Sequence, residues 1–97
     1  MRNPKDCVSI EDIRKEIDHI DKQIIGLFGE RYKYIKEIVR YKKDEEDVIA
    51  RKRYDLVLET RRKWAIETGI DPDVIENIYK LLIHYFIEEQ KRFLNIS

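Results

Sequence analysis

SIEDIRKEIDHIDKQIIGLFGERYKYIKEIVRYK, residues 9–42, decides the fold. Ile10, Ile13, Ile17, Ile20, Ile24, Leu27, Ile35 and Ile38 recur at steps of three and four, or multiples of them, which is the helical period. Ser9 followed by Asp12 resembles a capping box and marks the start. No proline interrupts the run, so the spacing predicts one helix ending near residues 41–43. Gly26 and Gly29 are its weak points, each about 1 kcal/mol worse than alanine. Their missing side chains give a neighbouring helix room to come close.

A helix of about 33 residues is about 50 Å long. A compact domain of this chain length has a radius of gyration of only about 12 Å. The chain cannot cover such a helix by itself, and the apolar stripe continues to its far end. A second copy covering it, most simply in a two-fold dimer, is the expectation.

Three cations on this helix stand out. Arg31 falls where the stripe should continue between Leu27 and Ile35, and Lys42 falls four residues after Ile38. On an unbroken helix they differ by about 20° around the axis and lie about 16 Å apart, so a small anion fits between two such long side chains. Arg14 lies about 25 Å from Arg31 and roughly 100° away. One chain cannot bring both arginines to one small ligand, whereas two antiparallel copies can. The ordinary fate of an Arg or Lys on a helix is a solvated face or a snorkelling edge. Two cations on the buried stripe weigh against that, because a buried charge needs a partner.

The 97 residues suggest a single helical domain over 1–97. Charged residues make up 41% of the chain, yet the formal net charge is +0. Neither a nucleic-acid partner nor an acidic solvating tail is indicated. No run of about 18 apolar residues suits a membrane span, and no apolar signal core opens the chain. The lone Cys7 cannot form an internal disulfide and reads as an ordinary thiol. A cytoplasmic protein is expected.

Residues 1–8 read as a short irregular leader. Asp44-Glu45-Glu46-Asp47 reads either as a solvated loop or as a mobile lid beside a cationic pocket. A second helix is predicted over about 50–67, basic on one side through Arg51, Lys52, Arg53, Arg61, Arg62 and Lys63, and stopped by Gly69. Asp71-Pro72 restarts the chain as N-cap and first helical residue. The third helix, about 72–94, carries a broad apolar face from Ile75 to Leu94. Gln90 sits within that face, either solvated at its edge or buried and aimed at a ligand. His84 reads as a packed or surface residue and His19 as exposed. No second His or Cys stands at zinc-ligand spacing.

The candidate site residues are Arg14, Arg31, Lys42, Arg53 and Gln90. All are hydrogen-bond donors and none is suited to proton abstraction. Such a set grips a small dicarboxylate and stabilises charge developing on an oxygen. A unimolecular rearrangement or elimination needs little else.

The run Ile13-Arg14-x-x-Ile17-Asp18-x-Ile20-Asp21, followed by Arg31, Lys42 and the late Gln90, resembles the all-helical chorismate mutase family over nearly the whole chain. Pro4-x-Asp6-Cys7, Trp64-Ala65, Ile83-His84 and Ile87-x-x-Gln90 resemble that family's salicylate-forming isochorismate-pyruvate lyase branch. The resemblance implies an intertwined homodimer of three-helix chains with two sites. Each site takes Arg31, Lys42, Arg53 and Gln90 from one chain and Arg14 from the other. It also implies that Arg14 and Arg31 bind substrate carboxylates, and that Lys42 and Gln90 face the ether oxygen of the enolpyruvyl group as catalytic groups. The implied reaction is a concerted hydrogen transfer from ring to pyruvyl methylene, with isochorismate as substrate, and without cofactor or metal. The alternative is a chorismate mutase, and a non-catalytic helical dimer is a further one. Mutases of this family place carboxylates where this chain has Ala50 and Tyr54, which weakens the mutase reading. The acidic run 44–47 is heavily charged for a lid over a dianion.

Overall fold

The structure, a computed structural model, describes residues 2–96. Among these residues all regular structure is helical. Three long helices carry the chain: α1 at Ile10–Ile38, α3 at Arg51–Thr68 and α4 at Pro72–Phe93, with a five-residue helix, α2 at Glu45–Ile49, between the first two. Single 3₁₀ turns lie at Pro4–Asp6 and Val39–Tyr41. Packing divides the chain into two compact units, Met1–Tyr34 and Ile35–Ser97.

In the first unit, the start of α1 is built as its residues dictate. The Asp12 amide donates to Ser9 Oγ at 3.1 Å. The Asp12 carboxylate accepts from the Val8 amide at 3.1 Å and from Arg2 at 2.7 Å. One carboxylate thus satisfies an orphan amide and fixes the leader. The isoleucine stripe is uncovered: no residue of α1 is buried, and Ile17, Ile20 and Ile24 stay 48%, 40% and 43% exposed. A Cβ placed on Gly26 or Gly29 would meet no atom within 4 Å among the described residues.

In the second unit, α3 and α4 form an antiparallel hairpin, since only residues 69–71 join them. Gly69, at φ 79°, ends α3 in the left-handed region. Its amide donates to the Ile66 carbonyl at 3.2 Å and the Ile70 amide to the Ala65 carbonyl at 2.9 Å, a Schellman closure that glycine adopts without strain. Asp71 caps α4 by accepting from the Asp73 amide at 2.8 Å, with Pro72 in the first turn. Arg62 crosses to Asp73 at 2.7 Å, and this hydrogen bond holds its guanidinium pKa above the usual value. The core is small: Val48 of α2, Val57, Leu58 and Ala65 of α3, and Phe86 of α4 are its buried apolar residues. Trp64 is half exposed, with the Arg61 guanidinium 4.6 Å from its ring.

Two expectations are corrected here. The first helix stops at Ile38, not near residues 41–43. The chain tightens into a 3₁₀ turn, closed by the Lys42 amide on the Val39 carbonyl at 3.0 Å, and Lys42 itself is extended at φ −106°, ψ 142°. Lys42 is therefore not on the Arg31 stripe, and the angular spacing computed for an unbroken helix does not apply. The acidic run, read as a loop, is mostly the first turn of α2. Asp44 is its N-cap, and carboxylates in a first turn face the positive end of the helix dipole.

Candidate functional site

Lys42 is half-buried, and its ammonium donates to the Asp47 carbonyl of α2. The Asp47 carboxylate accepts from the Lys43 amide at 2.9 Å, and the Asp47 amide donates to Asp44 Oδ1, also at 2.9 Å. The segment 42–47 is thus closed twice on itself. An ammonium has three donors, so one spent on Asp47 leaves two for a ligand.

Gln90 lies three residues before the end of α4 and is 6% exposed, the one polar residue in the buried set. Its Oε1 is buried and has no hydrogen-bond partner among the described residues. Of its two sequence readings, solvated edge or buried group, burial supports the second. The neighbouring Lys91 reaches Glu45 of α2 at 3.7 Å and Glu88 at 3.8 Å. The short α2 therefore braces both candidate groups, Lys42 through Asp47 and the Gln90 turn of α4 through Glu45. Lys91 and Asp47 were not singled out from the sequence. The signal for Asp47 was its spacing of three from Asp44, a capping pattern hidden in a charge run.

Arg53 is exposed in the first turn of α3. It lines a surface depression with Glu46, Ile49, Ala50, Arg51 and Lys52. Ala50 separates α2 from α3 in the left-handed region, at φ 46°, ψ 64°. Tyr54 is half-buried, with the Arg51 guanidinium 5.4 Å from its ring.

Arg14 and Arg31 both belong to the first unit. Arg14 is exposed and pairs with Glu11 at 3.2 Å, one turn back along α1. Arg31 is half-buried. They stand seventeen positions apart on one continuous helix, about 25 Å along α1. No single small ligand reaches both within one copy of this helix. Among the described residues, no group of three or more His, Cys, Asp or Glu side chains gathers to hold a metal ion, and no helix is long and apolar enough to cross a membrane.

The family model for chorismate mutase type II matches residues 13–91, from the first turn of α1 to the residue after Gln90. The chain belongs to the type II chorismate mutase family. It is 37% identical over 93 residues to the isochorismate pyruvate lyase of Pseudomonas aeruginosa, a match that covers 96% of this chain and 92% of that protein. It is 29% identical over 92 residues to the T-protein of Haemophilus influenzae, where the match spans 92% of this chain and 24% of the larger protein. Arg14, Arg31, Lys42, Arg53 and Gln90 all lie within the matched segment.

Proposed function

We propose that this protein is an isochorismate-pyruvate lyase, forming salicylate and pyruvate from isochorismate. The observation that carries this choice is the 37% identity, over nearly the whole of both chains, to the Pseudomonas aeruginosa isochorismate pyruvate lyase. Ala50 and Tyr54, which offer no carboxylate at the start of α3, favour the same branch over a dedicated mutase.

The working unit is a homodimer. The uncovered stripe of α1 supports this: Ile13, Ile17, Ile20, Ile24 and Leu27 are all more than one-third exposed in a single copy. Burying a side chain of this kind stabilises by about 1.5–3 kcal/mol, so a second copy is strongly favoured. Arg14 then serves the partner's site, and Arg31 and Arg53 act within their own.

In the reaction, the C–O bond between ring and enolpyruvyl oxygen breaks. The ring hydrogen passes to the pyruvyl methylene, and the ring becomes aromatic. Negative charge grows on the departing oxygen as this happens. Lys42, with two N–H groups left after its bond to Asp47, donates to that oxygen, and so does the Gln90 amide. Both interactions strengthen toward the transition state, which is the condition for raising kcat. The arginines hold the two carboxylates bidentately and fix the conformer from which hydrogen transfer occurs.

The test is product analysis with isochorismate and chorismate supplied separately. Salicylate and pyruvate from isochorismate, far faster than prephenate from chorismate, is the expected result. Fast prephenate with little salicylate makes the protein a chorismate mutase, the reading that the similarity to the T-protein supports. No turnover of either leaves a non-catalytic helical dimer.

A further inference from the structure

We propose that Asp47 is the positioning residue of Lys42: its carbonyl tethers the lysine ammonium, and its carboxylate fixes the direction of that carbonyl. This rests on the reading, given above, that Lys42 donates to the ether oxygen.

Lys42 stands outside any helix, on extended backbone, where its long side chain has wide rotamer freedom. One contact limits that freedom, the hydrogen bond from Nζ to the Asp47 carbonyl, and it is part-buried. Any residue at 47 has a carbonyl. What is particular to aspartate is the second closure, in which its Oδ2 accepts from the Lys43 amide at 2.9 Å. That bond ties residue 47 to the backbone adjoining Lys42, so ammonium, carbonyl and carboxylate form one closed frame. Asp44 Oδ1 holds the Asp47 amide at 2.9 Å from the other side. The next residue, Val48, is 3% exposed and seats the frame in the core. The ammonium is therefore placed before substrate arrives. A group placed in advance adds little to ground-state binding and much to the rate, since no reorganisation remains for the chemical step.

The carboxylate acts here as an acceptor and not chiefly as a charge. Asparagine at 47 keeps an acceptor oxygen at the same place, and alanine does not. Asp47→Ala should lower kcat by up to about 10²-fold, the scale of a group misplaced by about 1 Å, with KM within about twofold. Asp47→Asn should recover kcat to within about twofold. In the Lys42→Ala background, Asp47→Ala should have no further effect on kcat, because the residue acts only through the lysine. Should Asp47→Ala not fold, Asp47→Ser, too short to reach the Lys43 amide, carries the same expectation.

A readout independent of turnover is the acylation rate of Lys42 by an amine-reactive ester, followed by peptide mass spectrometry with Lys43 as internal reference. Freeing the ammonium should raise the ratio of Lys42 to Lys43 labelling several-fold in Asp47→Ala and leave it unchanged in Asp47→Asn. Wild-type kcat in Asp47→Ala, an unchanged labelling ratio, or asparagine as poor as alanine would each overturn the proposal. Normal turnover in Lys42→Ala alone removes the catalytic reading of the lysine and this inference with it. An inactive Lys42→Ala beside a fully active Asp47→Ala defeats the positioning role only.

Discussion

Replacing Gln90 by methionine should stabilise the unliganded protein and abolish its turnover. The Gln90 side chain is almost wholly removed from water, at 6% exposure, and its Oε1 has no partner among the described residues. An amide oxygen buried without a hydrogen bond costs about 1–3 kcal/mol. Methionine matches glutamine in length, is unbranched, and adapts to an irregular site. Allowing about 1 kcal/mol for the amide's remaining interactions, the net gain is about 1 kcal/mol. In a domain of this size that raises Tm by about 4–8 °C.

Thermal melts at one fixed protein concentration provide the assay, since the Tm of the proposed dimer moves with concentration. Turnover of isochorismate under the same conditions gives the second half. Losing one donor aimed at a developing oxyanion costs about 10²–10³ in kcat. The two results must go in opposite directions. A lower Tm would mean that the oxygen is already bonded in the unliganded protein, and normal turnover would mean that the amide does not face the reacting oxygen. Either result refutes the link between the orphaned atom and the chemistry.

Ala50→Gly should raise the urea midpoint slightly, by about 0.5 kcal/mol, because alanine at φ 46° is strained and glycine is not; a clear loss of stability would show that the alanine methyl contributes more by packing than the strain costs. Ile17→Asp together with Ile24→Asp changes side chains that a single copy leaves 48% and 43% exposed, so only an assembly should suffer. Light scattering should show monomer, and a dimer of wild-type mass would refute the proposed interface. Asp71→Ala removes the 2.8 Å cap on the Asp73 amide and should cost about 1 kcal/mol in chemical denaturation, with kcat unchanged; an unaltered midpoint would show that the cap is idle. Arg14→Ala and Arg31→Ala chains, each inactive alone, should regain part of the activity when mixed, because one kind of heterodimer site carries both arginines. No recovery after demonstrated chain exchange would place Arg14 in its own chain's site.

What could be read from the sequence was what local chemistry encodes. The isoleucine spacing, the Ser9 cap, the Gly69 stop and the Asp71-Pro72 restart each act through their immediate neighbours, and each is found where its residues stand. The early end of α1 had no such signal. Neither glycine nor proline lies between Ile38 and Lys42, and the apolar spacing runs on. The helix tightens at a point where Lys42 and Lys43 find their partners on Asp47, within a segment that continues into a turn. Ala50 was equally silent, because alanine is an uncommon occupant of the left-handed region. For the site, residue type could be read and surroundings could not. Gln90 on an apolar face admits two readings until its burial is known.

The acidic run is the clearest case in which charge counting misleads. Four carboxylates beside the proposed site for a dianion look repulsive, and the sequence left two readings, slower substrate entry or charges that face outward. Their bonding argues against the first. Asp44 accepts from the Asp47 amide, Asp47 from the Lys43 amide, and Glu45 lies 3.7 Å from the ammonium of Lys91. Asp44, Glu45, Glu46 and Asp47 also lie at the N-terminal end of α2, whose dipole offsets part of their charge. Asp44 and Asp47 thus act as hydrogen-bond acceptors and Glu45 pairs with a cation, and their field on an incoming anion is reduced by these partners. One residue of this run, Asp47, holds the lysine proposed to act on the substrate. Replacing Asp47 by a residue without an acceptor oxygen would loosen Lys42, so such a change should slow the enzyme and not speed it, whereas asparagine, which removes the charge and keeps the acceptor, should leave the rate nearly unchanged.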